Sequence, residues 1–541
     1  MTDDLFRERV VHKLLERQAA KYGDKTFMYF RDKEFSFLDL ERGACRVASG
    51  FQGLGIGKDD KVAIIMNNCP EYIFLQFGLS KLGVVQAPIN TAHKGNVLAH
   101  MLNLADSRVV VVGIQYLDRI EKVLGNTPKL ETVVVFHDAH VDESGFDGIR
   151  ARITKLGKQV KDLSQLVDND GFYQPVDVVW SDPFAITYTS GTTGPSKGAV
   201  TPHNLPLRSV RMLCEAAEIT EDDCFYNTLP LFHSSGQHMS TSAALMAGAR
   251  MVLAERFSTS KFWEDVWRYR CTEFTYIGSM LGMLFSEEPR PDDADNPLRV
   301  LMGAGAPKAI FEAFEKRFGV RIVETYGQSE MGLPLNCTIR ERKPGSCGKI
   351  PRDFVGKVVD ANGVEVGPDT SGELLIRNIE PYAVMLGYYG MPDETTEAWR
   401  DLWLHTGDYL YYDADGYFFF ADRKKDALRR RGENVSSYEV EMVVNSNPAV
   451  QESAVVVAKS PIGEEEVMVC LVLKPSRTLT PMELLAYCEE RMAYFMVPRY
   501  VRFMEVLPKT ATQRVEKYRL REEGITPDTW DRESAGYRLK R

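Results

Sequence analysis

The segment TYTSGTTGPSKGAV, from Thr187 to Val200, gathers residue types suited to holding phosphate. It follows the apolar run FAIT, so it leaves a buried strand. Gly191 and Gly194 free the backbone to turn tightly and aim N–H groups at anionic oxygens. Thr189, Ser190, Thr192 and Thr193 add hydroxyl donors, and Lys197 adds a cation that can reach a phosphate. The spacing is not that of a Walker A loop, which needs Gly-Lys-Ser/Thr after four spacers. Ser196 stands where the second glycine would be, and Gly198 follows the lysine. A turn of such residues can be plain exposed loop, but its length and its place beside a strand favour an anion site.

The elements that must position this loop read as α/β. VAIIMNN from Val62, RVVVVG from Arg108, TVVVF from Thr132, FAITYTS from Phe184 and RMVLA from Arg250 are short buried strands. Amphipathic stretches such as 206–217 and 261–270 lie between some of them, and strands alternating with helices imply parallel sheets. Residues 6 to 22 keep helical apolar spacing. From about Val355 the texture becomes β-rich, with GKVVD, GELLIR and GYFFF punctuated by Gly, Asp and Asn. Beyond the charged stretch ADRKKDALRRRGEN lies a smaller α/β pattern. The fold class is therefore α/β: a large N-terminal domain of stacked α/β sheets with a β-rich subdomain, then a small C-terminal α+β domain. The domains read as 1–422, a hinge at 423–426, and 427–541.

At 541 residues the chain exceeds one ordinary core, and 44% hydrophobic with 26% charged residues is the composition of a globular protein. A net charge of −10 argues against nucleic acid as the main partner, because such binders carry excess basic residues. Nine scattered cysteines with no CxxC pair read as free thiols in a reducing compartment. His137 and His140 form a close pair but lack further ligands at zinc spacing. No apolar run reaches the roughly 18 residues of a membrane span. The opening residues are charged and helical in pattern, unlike a signal peptide, so a cytoplasmic location is expected. A homodimer is compatible with these features.

TSGTTGPSKG resembles the phosphate loop of the adenylate-forming superfamily of acyl-CoA synthetases, nonribosomal peptide adenylation domains and luciferases. The resemblance runs over essentially the whole chain. DRKKDALRRRGENVSSYEVE and ITPDTWDRESAGY are similar to the crotonobetaine/carnitine-CoA ligase-like group. The resemblance implies ATP, Mg²⁺ and coenzyme A as cofactors and a small-molecule carboxylic acid as substrate. It gives the small-residue turn Gly303, Ala304, Gly305, Ala306 and Pro307, after the strand RVLM, a reason: an adenine ring can approach the backbone there. In VETYGQSEMG, Thr325 and Gly327 flank Tyr326, which offers an aromatic face for adenine; Ser329 offers a hydroxyl for the α-phosphate, where the family usually has Thr. Glu330 supplies a carboxylate for Mg²⁺, which prefers one or two carboxylates plus phosphate oxygens to a full protein cage.

Further along, Asp408 matches the family's ribose-binding aspartate, Arg423 an arginine on the nucleotide, and Lys425 the hinge about which the small domain swings. From Arg423 to Arg431 six of nine residues are basic; with Gly432 they either border a coenzyme A channel or form a solvated face. For the acid, His233 matches a gate near the reacting carbonyl, with Ser235, Gly236, Met280 and Gly303 as wall positions. One departure matters. The family closes with Gly-Lys, and here Gln513 and Arg514 stand in those places. Arg514 does the lysine's work, or Lys517 reaches in instead, or adenylation is weak and another activity is favoured. The expected reaction is carboxylate attack on the α-phosphorus of MgATP, expelling pyrophosphate, followed by acyl transfer to coenzyme A. Two rivals stand beside it: adenylation with another acceptor (an amine, a carrier-protein thiol or nitrite), and a nucleotide-binding protein without catalysis.

Overall fold

A computed structural model describes residues 9–189, 196–423, 428–430, 433–435, 437–459, 465–492, 496–509 and 515–539. They gather into two compact units. Among the described residues, one unit holds those up to Val355 together with Ile376–Trp403, and the other holds Gly356–Leu375 and those from Leu404 onward.

The first unit is built on two sheets. A seven-stranded sheet runs in the order Gln159–Asp162, Thr132–Phe136, Val109–Gly113, Lys61–Ile65, Val85–Pro88, Pro183–Thr189 and Lys197–Pro202. An eight-stranded sheet runs Gly332–Asn336, Arg321–Gln328, Val300–Ala304, Glu273–Ile277, Cys224–Asn227, Arg250–Leu253, Thr26–Phe30 and Lys33–Ser36. The strand alternation explains the layering, because successive side chains point to opposite faces. Val62, Ile64, Val109, Val111 and Val134 enter one core, while Ala63, Ile65, Val110, Val112, Val133 and Val135 enter another. The eight-stranded sheet divides likewise, with Val300 and Met302 on the shared core and Leu301 on its far side.

Helices fill the space that these faces leave. Phe37–Gly53, Pro70–Lys81, Asn204–Ala216 and Ala243–Ala247 contribute to the core shared by both sheets. Pro70–Lys81 has almost no exposed face, as expected of a helix covered on every side. Helices Gly95–Leu104, Leu117–Val123 and Phe146–Lys155 cover the outer face of the seven-stranded sheet. Thr259–Tyr269, Gly278–Phe285 and Phe311–Phe318 cover that of the other.

The sheets are parallel in their interiors, as the βαβ pattern implies, but several ends are not. Pro183–Thr189 and Lys197–Pro202 pair antiparallel, with Thr189 opposite Lys197. Arg321–Gln328 and Gly332–Asn336 also pair antiparallel, with Gln328 opposite Gly332. Each sheet thus ends in a hairpin, and Lys197 stands at the mouth of one while Glu330 lies in the turn of the other.

The second unit carries the strands Leu404–Tyr412 and Phe418–Arg423, and the parts Gly356–Val359 and Gly372–Leu375 of two further strands of the same sheet. Its later part holds a sheet in the order Val450–Lys459, Glu465–Leu473, Tyr500–Phe503 and Trp530–Asp531. Val455, Val467 and Val469 face one core and Val456, Met468 and Cys470 the other.

Candidate functional site

The strip 385–389 joins the two hairpins of the first unit. Its backbone continues the sheet edge: the Leu386 N–H donates to Val200 O at 2.8 Å, the Val200 N–H to Gly387 O at 2.9 Å, and the Tyr389 N–H to Gly198 O at 2.8 Å. Its start reaches the second hairpin, where the Met385 N–H donates to Glu330 O at 2.7 Å. Side chains repeat the link. The Lys197 ammonium lies 4.7 Å from the centroid of the Tyr388 ring, and the Tyr388 hydroxyl donates to Glu330 Oε1 at 2.9 Å. Lys197 and Glu330, singled out from two distant motifs, are therefore brought together around one tyrosine. Sequence reasoning missed Tyr388, since GYYG reads as a turn. Ser190, Gly191, Thr192, Thr193 and Gly194 lie outside the described residues.

The turn after Val300–Ala304 is held by a buried carboxylate. Tyr276, Gly303 and Glu324 are register partners across three adjacent strands. A β-carbon at Gly303 would sit 2.2 Å from Tyr276 O and 2.9 Å from the Tyr276 ring, so a bare position lets that ring cross to Glu324. The Tyr276 hydroxyl donates to Glu324 Oε1. The Gly305 and Ala306 N–H groups donate to the same carboxylate at 3.0 and 2.8 Å. Burial raises the Glu324 carboxyl to about 7, with Tyr276, Ala306 and Gly305 pulling the other way. The Thr325 hydroxyl is spent on Gly303 O at 3.0 Å. Gly305 has a φ of 81°, and its carbonyl oxygen would lie 1.8 Å from a β-carbon at Gly278, so the two loops touch backbone to backbone. Ala304 is exposed at the strand end, and Pro307 follows in the same turn.

Tyr326 is buried, and the Gln328 side-chain amide donates to its hydroxyl at 3.3 Å. Gly327 and Ser329 lie beside Glu330 at the hairpin end. His233 Nδ1 is 2.7 Å from Ser235 Oγ and also accepts the Ser235 N–H at 3.2 Å, which leaves the ring proton on Nε2 when the imidazole is neutral. Gly236 follows in the π-helical segment Ser235–Ser242, and Met280 is buried in the helix Gly278–Phe285.

In the second unit, Asp408 is buried and stands opposite Arg423 in register. The Lys517 ammonium donates to Ser437 Oγ and pairs with Glu441 Oε1, both at 2.8 Å. Glu441 Oε1 also accepts the Val455 N–H at 2.6 Å, so this lysine is tied into the local packing. Lys425, Gly432, Gln513 and Arg514 lie outside the described residues.

The donor set can be compared with what magnesium takes. Among the described residues no group of three or more His, Cys, Asp or Glu could hold a metal ion, and His137 instead lies between Glu143 and Asp162. A single oriented carboxylate, Glu330, fits a hard cation whose other ligands are water and phosphate oxygens. Among the described residues no helix is long and apolar enough to cross a membrane.

Residues 15–389 match the AMP-binding enzyme family, and residues 439–514 match the AMP-binding enzyme C-terminal domain. The chain belongs to this family of adenylate-forming enzymes. Among its relatives is the crotonobetaine/carnitine–CoA ligase of Salmonella choleraesuis, 30% identical over 532 residues, covering 96% of this chain and 100% of that one. The anthranilate CoA ligase AuaEII, solved with anthranoyl-AMP, superposes with a TM-score of 0.85 at 26% identity over 96% of this chain and 98% of that one. ATP-bound MatB from Rhodopseudomonas palustris gives 0.82 at 25% identity over 94% and 98%.

Two outcomes follow from the 303–307 turn. With its carboxyl raised from 4.5 to about 7, Glu324 binds a proton more tightly folded than unfolded, so its contribution to stability is complete below about pH 4.5 and lost as pH rises through 7. The loss is on the order of 3 kcal/mol. In Glu324→Gln that component vanishes, and the fall in melting temperature between pH 5 and 8 becomes shallower than in the wild type; parallel curves would refute it. Gly278→Ala forces the two loops apart, at about 2 kcal/mol of stability, and retains ATP less tightly in equilibrium dialysis; unchanged melting and retention would count against the contact.

Proposed function

We propose that this protein activates a carboxylic acid with MgATP as its acyl-AMP and then passes the acyl group to the thiol of coenzyme A. The observation that carries the reading is the meeting of Lys197 and Glu330 around Tyr388, at the ends of two hairpins from two sheets. The names of two of the relatives, a crotonobetaine/carnitine–CoA ligase and an anthranilate CoA ligase, support coenzyme A as acceptor.

In this reading the Thr189–Gly198 loop wraps the phosphates, with Lys197 neutralising oxygens as pyrophosphate departs. Magnesium, when bound at Glu330, neutralises phosphate charge. Glu324 holds the 303–307 turn rigid against adenine, and Tyr326 offers the ring a face. Asp408 accepts from the ribose hydroxyls, and Arg423 supports the nucleotide. A carboxylate oxygen of the acid attacks the α-phosphorus, and the bond to pyrophosphate breaks. The coenzyme A sulfur then attacks the acyl carbon, AMP leaves, and the thiol proton passes to solvent. Positioning and charge neutralisation supply the rate, without a covalent enzyme intermediate. Domain 427–541, swinging at 423–426 about Lys425, brings Arg514 to the first step and the basic stretch with Gly432 to the second. Arg514 is favoured over Lys517 as the bridging cation, because Glu441 and Ser437 already engage Lys517. His233, with Ser235, Gly236, Met280 and Gly303, borders a pocket for a compact acid. The Gln513–Arg514 departure falls on the adenylation step and motivates a second reading, a nucleotide-binding protein without catalysis.

Acid-dependent pyrophosphate exchange and AMP release, each with and without coenzyme A, test the scheme. Lys197→Ala and Arg514→Ala are expected to lower exchange by roughly 10²-fold, with Lys517→Ala within about threefold of wild type, the range of one surface contact. AMP release that is indifferent to coenzyme A would favour the other acceptor. Exchange at full rate in both Lys197→Ala and Arg514→Ala would end the proposal.

A further inference from the structure

Tyr388 has two working surfaces. Its ring carries the Lys197 ammonium 4.7 Å from the centroid, within the range where a cation is drawn to an aromatic face. Its hydroxyl donates to Glu330 Oε1 at 2.9 Å. The residue is itself fixed. Its N–H donates to Thr395 Oγ1 at 2.8 Å, that hydroxyl donates on to Met391 O at 2.8 Å, and Tyr388 forms an antiparallel bridge with Ala199. Gly387, at a φ of 139°, packs its α-carbon where a side chain would strike Thr395.

We propose that Tyr388 is a positioning residue that presets the distance between the Lys197 ammonium and the Glu330 carboxylate before nucleotide arrives. This rests on the reading that these two groups grip MgATP. Lysine is a point charge on a flexible four-carbon stem, and resting it on a fixed ring restricts its search. A carboxylate anchored by that hydrogen bond searches fewer orientations, and a preorganised donor set loses less freedom on binding. Tyr388 touches neither substrate nor metal in this scheme. It acts through the two residues that do.

The two surfaces separate by substitution. Tyr388→Phe keeps the ring and loses the hydroxyl; Tyr388→Leu loses both. Calorimetric titration of the full chain with ATP, in magnesium and in EDTA, reads each arm. In Tyr388→Phe the gain in affinity that magnesium confers is expected to shrink about three- to tenfold, the scale of one hydrogen bond, while ATP affinity in EDTA stays at the wild-type value. In Tyr388→Leu the EDTA affinity falls as well, and melting temperatures show which variants are folded. The conservative phenylalanine keeps the test decisive if the leucine variant does not fold. Equal loss with and without magnesium in Tyr388→Phe, or wild-type behaviour in both media, would overturn the assignment. A wild type that retains no ATP would instead bring down the nucleotide reading itself, and this inference with it.

Discussion

The strip 385–389 is hydrogen-bonded on both sides, and the site depends on that. Without it, Lys197 would belong to the edge of one sheet and Glu330 to the end of another, with only the shared core to set their spacing. Because the strip pairs with Gly198 and Val200 and also meets the Glu330 carbonyl, the two charges sit on one continuous backbone frame. Layered α/β architectures place functional loops at strand ends. Here the closing hairpins add a rigid reason why two of those ends face each other.

Much of the first unit was legible because parallel strands buried on both faces read as unbroken apolar runs. RVVVVG and TVVVF are such runs, and their alternation between two cores follows directly. The strand leading to Thr189 was legible because FAIT is an unbroken apolar run. The hairpin edges were not, because the loop between Thr189 and Lys197 is too long to carry a two-residue turn signal. Glu324 was passed over for a different reason. Within VETYGQSE it looks like one more polar residue of a motif, and only the register with Gly303 and Tyr276 gives it three donors. Lys517 could be counted as a spare cation in the sequence, while Glu441, its partner, lies in another helix.

The site also shows how carboxylates on one strand and its turn can serve opposite ends. Glu330 is half-buried in the hairpin turn and accepts the Tyr388 hydroxyl. Glu324 is sealed in the sheet and faces backbone N–H groups. Environment, more than residue type, separates a carboxylate at the hairpin end from one that holds the wall.

The rung Tyr276–Gly303–Glu324 has a consequence for how such a sheet changes over time. Each member is tolerable only with the other two: the acid wants its donors, the phenol its acceptor, and both want the empty place between them. A lone drift at any of the three leaves a stranded polar group or a steric collision. Lineages of this enzyme would then swap the whole trio at once or keep it intact, so this stretch of the sheet is inherited as a block.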